Sequence, residues 1–266
     1  MFREGKGMLE INKIYNIDCI EGMKQIDTGS IDMIFCDLPY EVTHSSFDVM
    51  IPFEPMWEQF ERIIKDNGAI LLFGQDKFTA KLMLSNEKIH RYNIIWDKIL
   101  PSGFLNAKHQ PLRSHEDICV FYKNPCTYNP QMRIGDMCHT RGQAVGQMAS
   151  DIHEQQNYGD YGVVETDGKL KYPTSIWTFQ KPHPSIAIHP TQKPLELCRY
   201  AIRTYSNEGD TVLDCTCGSG SIPLAAKLER RNYIGMDNGY SEKHKKPWAD
   251  IATERISQYK RSKRLF

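Results

Sequence analysis

The stretch Ile31-Asp32-Met33-Ile34-Phe35-Cys36-Asp37-Leu38-Pro39-Tyr40 decides the fold. Its first six residues make a short apolar run of strand length, and the next four break that run with an acid, a proline and an aromatic ring. Working outward, similar runs recur at Ala69–Phe73, Asn93–Trp96, Ile118–Tyr122, Thr211–Leu213 and Tyr233–Met236. Helical patterns lie between them. Pro55 suits a first turn, Met56, Phe60, Ile63 and Ile64 share one stripe, and Gly68 is expected at the C-terminal cap. A second helix is predicted from Pro194, with Leu195, Cys198, Ile202 and Tyr205 on one face, a third after Gly220, and a fourth from Trp248 towards Tyr259. Strands alternating with helices predict an α/β chain built on a largely parallel sheet.

From about Cys126 to about Pro184 this rhythm stops. The segment is rich in Gly, Gln, Tyr, His and Pro but keeps aromatics such as Tyr158, Tyr161 and Trp177, which reads as a functional insert. The expected organisation is therefore 1–125, an insert at 126–184, and 185–266.

With 40% apolar and 25% charged residues, the 266-residue chain can bury a sizeable core. No run is long enough to span a bilayer and nothing near Met1 reads as a signal peptide, so a cytoplasmic location without membrane contact is expected. The eight cysteines form no Cys-x-x-Cys pair, which suits reduced, mostly buried thiols and no metal site. Thirty-three Lys/Arg balance 33 Asp/Glu overall, yet six basic residues face three acidic ones between Lys98 and Met148. That stretch is a candidate surface for phosphate.

In open α/β sheets, ligands sit at the carboxyl ends of strands. Asp37 and Tyr40 after the first strand suit a flat ring bearing an amino group: the carboxylate accepts a hydrogen bond and the ring stacks. Asp-x-Pro is also ordinary turn chemistry, so the reading needs company. It has company in Asp214-Cys215-Thr216-Cys217-Gly218-Ser219-Gly220-Ser221, a strand end and glycine loop opening a helix, followed by Asp237 at the end of the next strand. Glycines admit a close ligand, and an acid at that place grips ribose hydroxyls in nucleotide-binding sheets. The absence of Gly-Lys-Ser/Thr argues against a phosphate-binding NTPase loop.

Together with His189-Pro190-Thr191-Gln192-Lys193-Pro194, these motifs resemble the amino-group DNA methyltransferases, whose catalytic motif is Asp/Asn/Ser-Pro-Pro-Tyr. The order, catalytic motif first and glycine loop last, resembles the β-type arrangement; Asp18–Met23 and Leu112–Asp117 also fit it. The resemblance implies a Rossmann-like S-adenosylmethionine-dependent methyltransferase sheet with circularly permuted motif order and an inserted target-recognition region. It implies that Asp37, Leu38, Pro39 and Tyr40 hold a flipped base. It also implies a cofactor pocket formed by Asp18, Cys19, Asp37, Phe73, Thr191, Gln192, Lys193, Asp214, Thr216, Gly218, Gly220 and Asp237. Contacts to double-stranded DNA are expected from Lys108, Arg113, Arg133 and Arg141. The insert residues His139, Gln143, Gln147 and Asn157 have base-reading side chains.

Two positions depart from the family pattern. Leu38 replaces the first proline, but Pro39 keeps it extended. Cys215-Thr216 replaces Pro-Phe, which removes an aromatic wall and bears on cofactor affinity. An acid opening the catalytic motif implies adenine N6 as target. Cytosine N4, an RNA or protein amino group, and a binding module without turnover remain alternatives, as do a homodimer and a restriction endonuclease partner.

Overall fold

Two adjacent parallel strands, β2 (Ile31–Cys36) and β9 (Thr211–Asp214), form the centre of the main sheet. The computed structural model describes residues 8–40, 50–135, 169–183, 185, 187–189 and 191–259. Outward from β9 lie β10 (Asn232–Met236) and β1 (Lys13–Tyr15), both parallel. Outward from β2 lies β3 (Ile64–Gly74), parallel, then β5 (Arg113–Phe121) and β4 (His90–Ser102), which make an antiparallel hairpin. β8 (Ile176–Thr178) closes that edge, parallel to β4. The chain leaves β2 in one direction and β9 in the other, so a crevice opens above their carboxyl ends.

Both faces of the sheet are covered. On one lie α1 (Cys19–Met23), α2 (Phe53–Ile63) and α3 (Asp76–Ser85), whose Met23, Met56, Phe60 and Leu82 pack with Ile34, Cys36 and Leu72. On the other lie α4 (Leu195–Tyr205), α5 (Ser221–Leu228) and α6 (Trp248–Gln258), whose Leu197, Ile202, Leu224 and Ile256 pack with Met33, Phe35 and Leu71. Neighbouring residues of β2 thus serve opposite cores, which is why its sequence is apolar throughout rather than alternating.

The six expected strands and four expected helices are present, with three corrections. Gly68 does not cap α2. The helix ends at Ile63, and Ile64, extended at ψ 138°, opens β3 directly. Between Ile31↔Ile64 and Met33↔Ala69 the register shifts, with extra residues on β3, and Gly68 lies where that bulge rejoins the ladder. A Cβ there would stand 2.8 Å from the Asp32 carbonyl oxygen. The second correction is Trp177, which is a core residue of β8: it is 6% exposed and packs on Tyr200 with ring centroids 4.8 Å apart. The third concerns α1, α3 and β1, which the apolar pattern does not announce.

A second compact unit spans Pro130–Thr174. Its described part is a two-stranded antiparallel ladder, β6 (Arg133–Ile134) with β7 (Leu170–Lys171). A small ribbon of β11 (Tyr240–Ser241) and β12 (Lys246–Pro247) precedes α6. No helix among the described residues is long and apolar enough to cross a membrane.

Gly68→Ala is expected to lower stability by about 1–3 kcal/mol, the usual penalty of forcing an extra carbon into a packed site. Urea unfolding should show a lower midpoint at unchanged slope.

Candidate active site

The two motifs meet because β2 and β9 pair in register. Cys36 and Cys215 lie side by side with sulfurs 3.5 Å apart, and the Cys215 amide donates to Cys36 Sγ. One residue further on, Thr216 Oγ1 donates to the Asp37 carbonyl oxygen at 3.0 Å. The residue that departs from the usual aromatic thus ties the glycine loop to the catalytic loop. That contact is invisible in the sequence, because the partners are 179 positions apart.

Asp37 is the hub. Tyr40 Oη donates to its Oδ1 at 2.7 Å, and Lys193 Nζ lies 2.7 Å from its Oδ2. The Tyr40 ring rests on Phe78, centroids 4.6 Å apart, so hydroxyl and ring are both held. Leu38 turns into the core at 3% exposure, while Pro39 is half-buried. Lys193 itself is buried, sits 4.6 Å over the Phe73 ring, and reaches Glu116 Oε2 at 3.2 Å. Lys98, 2% exposed, reaches Glu116 Oε1 at 3.3 Å. Acid and base therefore alternate through the site: Asp37, Lys193, Glu116, Lys98.

Burial pushes the Asp37 carboxyl above its usual range, Lys193 pulls it back and Glu116 pushes it up again. Burial alone would lower the Lys193 ammonium, but Asp37 and Glu116 together hold it above its usual value. Burial would raise Glu116, yet its two lysines hold it below the usual carboxylate range. Burial also lowers Lys98, against the pull of Glu116. The Tyr40 phenol is pushed far up, by burial first and then by Asp37, and stays a donor.

The glycine loop supplies the second half. Gly218 and Gly220 have φ +48° and +75°, and a Cβ on Gly220 would stand 2.9 Å from Ala252 Cβ. Only glycine fits there without strain. Asp237 accepts from the Gly218 amide at 2.7 Å and from the Gly239 amide at 2.8 Å; each carboxylate oxygen retains a second lone pair. Asp214, buried, accepts from the Thr216 amide. Gln192 Oε1 accepts from Ile188 N and lies 3.5 Å from Ser219 Oγ. His189 lies against Gly218 and Trp248, and burial, then Lys193, drives its imidazole down to about 4. Thr191 N donates to its Nδ1, so the neutral ring carries its hydrogen on Nε2. A positive-φ turn with acids at the ends of two adjacent strands fits the adenosyl end of S-adenosylmethionine.

Cys19 is buried at the head of the β2–β9 pair, where its thiol hydrogen-bonds with that of Cys215, and Asp18 beside it caps α1 through Ile20 N and Glu21 N. The remaining expected positions are dispersed. Lys108 is exposed, just past a 3-10 turn at Phe104–Asn106. Arg113 is half-buried, 3.5 Å from Asp76, and Arg133 is exposed on β6. Arg141 lies outside the described residues, as do His139, Gln143, Gln147 and Asn157. Sequence reasoning missed Lys98, Glu116 and His189 as site residues. The one signal for the first two was opposite charge flanking two apolar runs, and only strand pairing shows that they meet. Among the described residues, no cluster of three or more His, Cys, Asp or Glu could hold a metal.

The chain is similar to known proteins. A family model described as DNA methylase, for N6 and N4 methyltransferases, matches residues 31–246. The type II methyltransferase M1.MboII of Moraxella bovis is 26% identical over 256 residues, covering 86% of this chain and 93% of its own. The DNA adenine methyltransferase YhdJ of Escherichia coli K12 is 25% identical over 246 residues, covering 86% and 79%. Among solved structures, M1.HpyAVI with S-adenosylmethionine superposes with TM-score 0.57 at 21% identity, covering 91% of this chain and 98% of its own. The cytosine-N4-specific PvuII DNA methyltransferase gives 0.59 at 15%, covering 94% and 93%. The fold, the motif pair and the matched family agree: this chain belongs to the S-adenosylmethionine-dependent DNA methyltransferases that act on exocyclic amino groups.

Proposed function

We propose that the protein methylates N6 of adenine at a specific site in double-stranded DNA, with Asp37, Leu38, Pro39 and Tyr40 receiving the flipped base. The carrying observation is the Asp37 carboxylate, fixed by Tyr40 and Lys193 and tied through its own carbonyl to the glycine loop. An acid opening the catalytic motif and the likeness to an adenine methyltransferase at 25% identity support adenine over cytosine.

S-adenosylmethionine supplies an electrophilic methyl group. Everything else falls to the chain. An aromatic amine is a poor nucleophile, because its lone pair is delocalised into the ring. A hydrogen bond to Asp37, with a second to the Leu38 carbonyl, localises that pair as the nitrogen turns pyramidal. The pair forms the new N–C bond while the C–S bond breaks onto sulfur, and one amino proton leaves to solvent. No cysteine nucleophile is needed: burial raises the Cys36 thiol and keeps it neutral, a packing group. The amino group is out of reach in a stacked duplex, so the base is extruded, at a few kcal/mol. Stacking on Tyr40 returns roughly 1–3 kcal/mol.

Asp18, Cys19, Phe73, Thr191, Gln192, Lys193, Asp214, Thr216, Gly218, Gly220 and Asp237 line the cofactor pocket in this reading. Lys108, Arg113, Arg133 and Arg141 hold phosphates, and residues 126–184 choose the sequence.

Labelled S-adenosylmethionine and unmethylated genomic DNA, digested to nucleosides, should give labelled N6-methyladenine. Asp37→Ala should lower its yield by roughly 10²–10³-fold, the usual loss of one preorganised group. Labelled N4-methylcytosine instead would overturn the base assignment. For Asp237→Ala, calorimetry should show S-adenosylmethionine affinity down about 10–100-fold, the worth of a charge-assisted hydrogen bond. Its DNA affinity should be unchanged.

A further inference from the structure

Both Asp37 oxygens are engaged before any base arrives. Tyr40 holds Oδ1 and Lys193 holds Oδ2. Each oxygen keeps a second lone pair, so the target amino group has a place at Oδ2, but beside an ammonium that already draws on that oxygen's charge. Tyr40 is held in place by the packing of its ring on Phe78. Lys193 has somewhere to go. Glu116 Oε2 lies 3.2 Å from Nζ, is buried, and has no hydrogen-bond partner of good geometry among the described atoms. Buried carboxylate oxygens are normally satisfied, and each exception asks for an explanation. Glu116 Oε1 is meanwhile held by Lys98, whose Nζ also reaches Ser102, so Glu116 itself is anchored. The Phe73 face beneath Lys193 tolerates a cation on either side of the short path.

We infer that Glu116 is a positioning residue for methyl transfer: its Oε2 is the seat onto which the Lys193 ammonium moves when the target amino group takes Asp37 Oδ2. The inference rests on the reading of Asp37 given above. A lysine with two carboxylates keeps its charge neutralised in both positions. Asp37 is therefore released to the substrate without stranding a buried cation, which would be strongly unfavourable. Glu116 touches neither base nor methyl group; it acts through Lys193.

The charged and titratable groups facing Asp37 are Tyr40 on its own loop, Glu116 on β5, Lys193 ahead of α4, Cys198 on α4 and Asp214 on β9. The nearby Glu116 charge raises the Asp37 carboxyl. Activity needs Asp37 ionised, so it is lost as pH falls through the Asp37 pKa. Removing the Glu116 charge lowers that pKa, so the acid limb must move to lower pH.

The test is single-turnover methylation by the full chain at saturating DNA and S-adenosylmethionine, across pH, for wild type, Glu116→Gln, Glu116→Asp and Asp37→Ala. Glu116→Gln should lose about tenfold or more in the transfer rate at neutral pH, while cofactor affinity changes by less than about threefold. Its acid limb should shift to lower pH, and Glu116→Asp should restore the wild-type limb. Where Glu116→Gln folds poorly, Lys98→Met/Glu116→Gln withdraws one charge of each sign and should show a smaller shift in the same direction, since the more distant Lys98 charge offsets only part of it. A rate loss with an unmoved acid limb would make Glu116 merely structural and overturn the inference, as would a wild-type rate. Asp37→Ala separates the two readings: full activity there overturns the role of Asp37 itself. An inactive Asp37→Ala beside an unaltered Glu116→Gln removes only the role of Glu116.

Discussion

The parallel pairing of β2 with β9 is the constraint on which the rest of the molecule depends. Met33 lies opposite Val212 and Ile34 opposite Leu213, and the Thr211 amide donates to Asp32 at the foot of the pair. At the head, the Cys36–Cys215 contact and the Thr216–Asp37 hydrogen bond bring two motifs to one place. The other strands of the main sheet take their positions from this seam. β3 and the β4–β5 hairpin continue the sheet on one side, β10 and β1 on the other, and three helices cover each face. Loop-closure entropy grows only slowly with length, so joining strands far apart in sequence is thermodynamically tolerable once both faces are buried.

The seam also explains why charge can be concentrated in a largely buried pocket. An isolated buried ion is strongly disfavoured, and a pair only roughly breaks even. Here the ions alternate in sign from Asp37 to Lys98, with neighbours 2.7–3.3 Å apart, so no member lacks an opposite charge. Burial and pairing pull against each other at every member. The outcome differs by position: Lys193, between two carboxylates, is held charged, whereas Lys98, with one carboxylate, is lowered. The centre is polar and largely buried, so its hydrogen bonds count, which suits a reaction that needs an amine's lone pair localised.

The two halves of the pocket are built differently. The half around Asp37 is held by side chains: Tyr40 on Phe78, Lys193 over Phe73, Thr216 on the Asp37 carbonyl. The half around the glycine loop is held largely by backbone, with Asp237 gathering the Gly218 and Gly239 amides and the glycines taking conformations that other residues rarely adopt. Substitutions around Asp37 act through packing and charge, whereas those at Gly218 and Gly220 act through backbone strain.

Much of this was legible in the amino-acid order because it is local. Apolar runs marked β2, β3, β9 and β10. Stripes at helical spacing marked α2 and α4. Asp37–Tyr40 and Asp214–Gly220 carried their chemistry in residue type and spacing. What only the tertiary structure decided is non-local. β1 and β8 are three residues each and exist because a neighbouring edge completes their hydrogen bonds, so neither carries a pattern of its own. Gly68 reads as a helix cap until the register of β3 against β2 turns it into a bulge. Thr216 reads as a lost aromatic wall until Asp37 lies within 3.0 Å. Lys98 and Glu116 read as ordinary surface charges on two strands, and become part of the site because antiparallel pairing and burial bring them to Lys193. Sequence carries what a residue can do within reach of its own neighbours; strand pairing, which no local pattern encodes, decides which groups share one pocket and therefore which charges they keep.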